Sequence, residues 1–110
     1  MTGRQIIRQY RTGERNFSRA KLRRVKLGGA KLQDINLSFA DLERADLHNA
    51  NLAGANLKGC DLTGANLQDA NLDKANLQGA NLYEADVTNA QLTQAESLKG
   101  AILPEGGRHK

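Results

Sequence analysis

The sequence has no tryptophan, two phenylalanines, two tyrosines, one proline, one cysteine and one methionine among 110 residues. So few bulky side chains exclude a layered domain of the ordinary kind, whose interior interlocks large and varied residues. The single Cys60 excludes an internal disulfide and leaves no cysteine spacing for a metal. No stretch approaches the ~18 consecutive apolar residues that cross a bilayer. Met1 to Arg8 lacks the apolar run of a secretory leader, so a cytoplasmic protein without a membrane anchor is the default expectation.

Acidic charge is nearly absent from the first third. Residues 1–31 carry ten Lys or Arg against Glu14 alone, a balance of +9, whereas residues 32–110 carry six basic and eleven acidic residues, a balance of −5. Such asymmetry marks a candidate nucleic-acid or membrane patch.

What the chain does have is a five-residue period. Sixteen consecutive positions from 17 to 92 hold fourteen Leu, Phe17 and Val87. Two residues earlier stand twelve Ala, with Arg15, Val25, Ile35 and Cys60 as the others, and between the two lie eight Asn, four Asp, three Lys and Gln91. A step of five spirals around an α-helix and flips faces on a flat strand. The chain must therefore turn a corner once per repeat. Each repeat reads as a three-residue extended segment with Leu and Ala inward and the polar residue outward, followed by a two-residue corner. The second corner residue is Gly at 29, 54, 59, 64 and 79 and Asn at 49 and 89, which suit the positive φ of a type II turn. Arg24, Asp34, Phe39, Arg44, Lys74 and Glu84 share that slot and favour type I, so both turn types are expected along one chain.

The A-(N/D)-L-X-X pattern, as in Ala50-Asn51-Leu52-Ala53-Gly54, resembles the pentapeptide repeat family across residues 15–94. That resemblance implies an all-β solenoid, a right-handed quadrilateral β-helix with four repeats in each 20-residue coil, hence about four coils. The expected organisation is a helical cap over 1–14, sixteen repeats over 15–94, a register-shifted partial coil over 95–104 and a disordered tail over 105–110. Thr2 with Gln5 suggests a capping box, Ile6, Ile7 and Tyr10 an apolar helix face, and Gly13 a stop. Between Leu92 and Leu98 the step is six, so the register slips once.

With residue i stacked on i+20, Lys21 falls beside Asp41, Arg23 beside Glu43 and Lys26 beside Asp46, and cross-strand pairing explains the basic start ahead of nucleic-acid binding. Arg24 beside Arg44 is left unpaired, as are Arg4, Arg8 and Arg11. Asn16, Asn36, Asn56 and Asn76 form one outward column, expected to hydrogen-bond along the stack. Cys60 should point inward as a small hydrophobe. His48 and His109 share no metal-ligand spacing, and Ser18, Ser38 and Ser97 have no activating partner, so no catalytic, cofactor or metal residue is expected. Phe39, in a column with Arg19, and Tyr83 lie outside; with Arg24 and Arg44 they form the candidate interaction surface. The function expected is a non-catalytic scaffold or protein-interaction module, a monomer or an end-to-end dimer through residues 95–104. The rival, implied by the resemblance, is a duplex-DNA mimic acting on an enzyme such as DNA gyrase. The basic first coil departs from that pattern.

Overall fold

The computed structural model describes all 110 residues. Parallel bridges join residue i to residue i+20 at successive polar positions, from Asn16 with Asn36 to Asn66 with Asp86. Five residues per repeat and twenty per turn make four faces, and the chain is a right-handed quadrilateral β-helix. Its extents are 37 × 23 × 23 Å, and the two equal short axes are the sides of a square section. Four coils at the ~4.8 Å strand spacing fill about 19 Å of the long axis, and the capping elements fill the rest.

One repeat shows why the outward position is so restricted. The Asn51 N–H donates to the carbonyl of Ala30 below, those of Leu52 and Gly54 donate to Asn71 and Asp73 above, and that of Ala55 closes the turn onto Leu52. Only the Ala53 N–H is left, and the Asn51 side chain accepts it at 3.1 Å. The same bond, from the polar residue to the N–H two positions on, occurs at all eight Asn and at Asp41, Asp46 and Asp61. This is an Asx turn. It corrects the expected ladder along the stack, of which Asn36 to Asn16, at 3.3 Å, is the single side-chain instance.

The corners also differ from expectation. Every second corner residue from Arg19 to Glu84 has positive φ, +57° to +70°, whether Gly or not. Type I turns do not occur at these corners, so sorting by residue fails. The reason lies in the stack: the first corner residue accepts from the coil below and the second donates to the coil above, as Ala53 accepts from Asp34 and Gly54 donates to Asp73. A different corner would break both bonds. Their retention outweighs the ~1–2 kcal/mol cost of a left-handed non-Gly residue.

Inside, the thirteen leucines from Leu22 to Leu82 are at most 1% exposed and fill the bore with the alanines. Cys60 lies among them, its S–H donating to the Leu37 carbonyl at 2.7 Å, and desolvation pushes its pKa up to about 12.

Helix α1 (Gly3–Arg11) covers the first coil. Thr2 and Gln5 form the expected capping box, and Ile6 is fully buried beneath the helix. Gly3 sets the closeness of approach: a Cβ there would overlap the Lys26 carbonyl oxygen and lie 3.1 Å from its carbonyl carbon. The Tyr10 hydroxyl donates to the Gln33 carbonyl at 2.7 Å.

At the other end the sixteenth repeat does not form. Helix α2 (Asn89–Thr93) replaces it, opened by a second capping box between Thr88 and Gln91. Asn89, expected at a corner, is helical. Leu92 still fills the core, and the Gln91 amide donates to the carbonyls of Leu67 and Ala70, at Ala70 standing in for the ladder N–H of a regular repeat. The helix takes up one extra residue, so bridging resumes at i+21, Asn76 with Ser97 and Asn81 with Ile102. The tail, expected to be disordered, turns back instead: Ile102 pairs antiparallel with Arg108, and the His109 N–H donates to Ala101. The last half-coil has an open edge, and the tail supplies the partners that a further coil would have given it.

Candidate interaction surface

Because the bore is closed, any site must lie on the faces, edges or ends. The four side chains singled out from the sequence do not converge. Arg24 and Arg44 sit at successive levels of one corner edge, with the stem of Arg44 against Gly64, where a Cβ would lie 3.3 Å from its Cγ. Tyr83 is on that edge two coils beyond Arg44, and its ring supports the returning tail, with a Cβ on Gly106 falling 3.6 Å from it. Phe39 belongs to the preceding edge. Its ring lies over Gly59 on one side and takes the Arg19 guanidinium at 5.0 Å on the other. The cation–π geometry read from the column is present, and Phe39 remains 48% exposed.

The expected charge pairs form only in part. Arg23 binds Asp41 at 3.1 Å and Glu43 at 3.4 Å, and these acids raise its pKa. Lys21 and Lys26 stack on Asp41 and Asp46 through the backbone, but their side chains make no ion pair. Asp46 instead holds His48, its Oδ1 lying 2.5 Å from Nδ1, and this bond lowers the Asp46 pKa. Asp41, Glu43 and Asp61 bring carboxylate oxygens within 4.8 Å of one another. The 20-residue register stacks Asp41 on Asp61, and that signal in the sequence was sufficient to find the cluster. Arg23 is its counter-ion, on an open face with no enclosed space.

The structure places a different feature at the N-terminal end. Two shallow cavities, about 550 and 530 Å³, lie where α1 meets the first coil, and a third, about 360 Å³, lies along α1 itself. Each is lined by three or more of the basic side chains and by no acid. Arg4, Arg8 and Arg11, at steps of four and three, share the outer face of α1.

No helix is long and apolar enough to cross a membrane. Pentapeptide repeats match in eight copies, over residues 16–59, 30–69 and 60–96. Among solved structures, a pentapeptide repeat protein of the Arabidopsis thaliana thylakoid lumen is 34% identical over 81% of this chain and 58% of that one, with a TM-score of 0.65. One from Nostoc PCC 7120 is also 34% identical, over 93% of this chain and 75% of that one, with a TM-score of 0.52. The chain thus spans little more than half the length of the plant protein. No curated protein is significantly similar to it. The chain belongs to the pentapeptide repeat family.

Proposed function

We propose that the protein is a non-catalytic, rigid scaffold whose edges and faces contact a protein partner. The observation that carries this reading is the continuous core of 29 buried residues, which occupies the whole bore. It leaves no enclosed space among the coils for a substrate. The ionisable groups point outward, apart from the thiol of Cys60, and burial keeps that thiol protonated and unreactive. Phe39 and the Arg24–Arg44 edge are the candidate contacts, since an exposed aromatic and arginines are enriched where proteins meet. The returning tail covers part of the C-terminal end, which favours a monomer over the end-to-end dimer.

Affinity capture from native lysate tests the reading when Phe39→Ser and Arg44→Glu variants are run beside the wild type. A partner retained by wild type and lost from both variants is expected; a partner held equally by all three excludes these contacts. A DNA gyrase supercoiling assay separates the duplex-mimic alternative. Supercoiling is expected to proceed unchanged at stoichiometric protein, because a mimic needs an acidic surface continuous along the rod and the first coil here is basic.

A further inference from the structure

The basic start lost its structural explanation when two of the three expected pairs failed to form. In the first 31 residues only Arg23 makes an ion pair between side chains. The one acid there, Glu14, has its carboxylate taken by the N–H groups of Arg15 and Asn16. Arg15 is spent on the Tyr10 ring at 3.6 Å, and Arg19 on Phe39. Lys21 and Lys26 lie one coil from acids, so part of their field is offset. Arg4, Arg8, Arg11, Arg24 and Lys31 have no such neighbour. Arg24 stacks toward Arg44, and Lys31 on Asn51.

Their arrangement is that of a receiving surface. Arg4, Arg8 and Arg11 run along one face of α1 over about 10 Å, at 1.5 Å per residue. Arg24 reaches the cavity beside Arg4, and Lys31 the cavity beside Arg11. These side chains gather positive charge on the end of the rod, around the two cavities at the junction of α1 and the first coil. Its apolar share is limited: Met1 is the only freely exposed large hydrophobic residue there, Ile7 is half-buried beside two of the cavities, and Ile6 is buried. Protein interfaces are built around apolar or aromatic anchors, whereas interfaces with nucleic acid are polar and strongly positive. Single strands are held by stacking on aromatic rings. Of the two rings at this end, Phe17 is buried and Tyr10 is covered by Arg15.

We propose that the N-terminal end, centred on Arg4, Arg8 and Arg11 with Arg24 and Lys31, binds the phosphate backbone of duplex nucleic acid without regard to sequence. Arginine suits this role because its planar fork grips phosphate oxygens two at a time. With no side chain placed to enter a groove, the contacts position and do not specify.

The test is fluorescence anisotropy with two labelled 20-base-pair DNA duplexes of unrelated sequence, between 50 and 200 mM salt. Both should bind alike, with Kd on the order of 10⁻⁴–10⁻⁶ M as for non-specific contacts. Replacing Arg4, Arg8 and Arg11 together by Gln removes three phosphate contacts. The slope of log K against log salt should flatten by about 2.7. Over that fourfold salt range the wild type should lose about 40 times more affinity than the variant. The three side chains are exposed, so the far-UV circular dichroism and melting of the variant should match wild type, and Lys58→Gln with Lys74→Gln on the coil body should leave binding unchanged. Absence of binding at 50 mM salt, full binding by the triple variant, or a preference for poly-glutamate over duplex would each overturn the proposal, the last in favour of an acidic protein.

Discussion

Replacing Gly3 by Ala sets helix propensity against packing. In a helix interior the change is favourable by about 1 kcal/mol, an upper value for Gly3 at the first helical position. Here the new methyl group meets the backbone of Lys26, which cannot swing aside as a side chain would. Lys26 is pinned by its bridge to Asp46, and Leu27 donates to Asp46 at 2.8 Å. Strain at that contact is capped by the cost of lifting α1 off the coil. Lifting exposes Ile6, worth about 1.5–3 kcal/mol, and breaks the bond from Tyr10 to Gln33, worth about 0.5–1.5 kcal/mol. That ceiling is about 2–4.5 kcal/mol and the propensity gain takes about 1 kcal/mol from it, so a net loss of up to about 1–3.5 kcal/mol is expected, opposite in sign to the propensity effect. Urea denaturation followed by circular dichroism measures it. Ile6→Ala in the Gly3→Ala background supplies the cross-check, because once the helix has lifted, the second truncation should cost little. A midpoint unchanged or raised by Gly3→Ala would refute the docking argument.

Two further outcomes follow from the corners and the core. Asn71→Ala deprives the Asp73 N–H of its acceptor and should destabilise by about 0.5–1.5 kcal/mol. Lys31→Asn supplies an acceptor for the Gln33 N–H and should stabilise by a similar amount; denaturation midpoints that stay put in both variants would count against the Asx turn as the reason for the Asn-rich position. Cys60 titrates near 12 in the folded chain and near 8.5 when unfolded, so the unfolded state loses its proton first. The thiol's contribution is full below about pH 8 and is lost as pH rises toward 12, at up to about 1.4 kcal/mol per pH unit. Cys60→Ala should remove that part of the alkaline decline, and identical slopes for the two proteins between pH 8 and 10.5 would show that the thiol is not held protonated.

Much of the fold was legible because one spacing carries it. Leu, Ala and the polar residue each occupy a fixed place in five, and that alone assigns the inward and outward sides. What was not legible depended on neighbours distant in sequence. The uniform corners follow from bonds to coils above and below, which override the local preferences of Arg24, Phe39 or Lys74. Helix α2 is masked by Asn89 and Leu92, which keep the repeat's period, although Thr88 and Gln91 spell the same capping box as Thr2 and Gln5. The tail's return could not be inferred from its composition, because its partner is the edge left by an incomplete coil. At the surface, the register correctly placed Arg23 near Glu43 and Phe39 near Arg19. It did not reveal that the lysines make no ion pairs, nor that α1 aligns three arginines above them.

The square coil also makes the chain a screw with four indexed stops. Inserting one pentapeptide between Ala45 and Asn66 would keep every Leu and Ala pointing inward, so the core would tolerate it. All residues beyond the insertion would nevertheless turn by a quarter rotation relative to those before it. The edge that now carries Arg24, Arg44 and Tyr83 would be split, with each face above continuing a different face below. Lengthening such a rod by five residues and by twenty are thus distinct events: the first re-deals the surface, and the second only extends it.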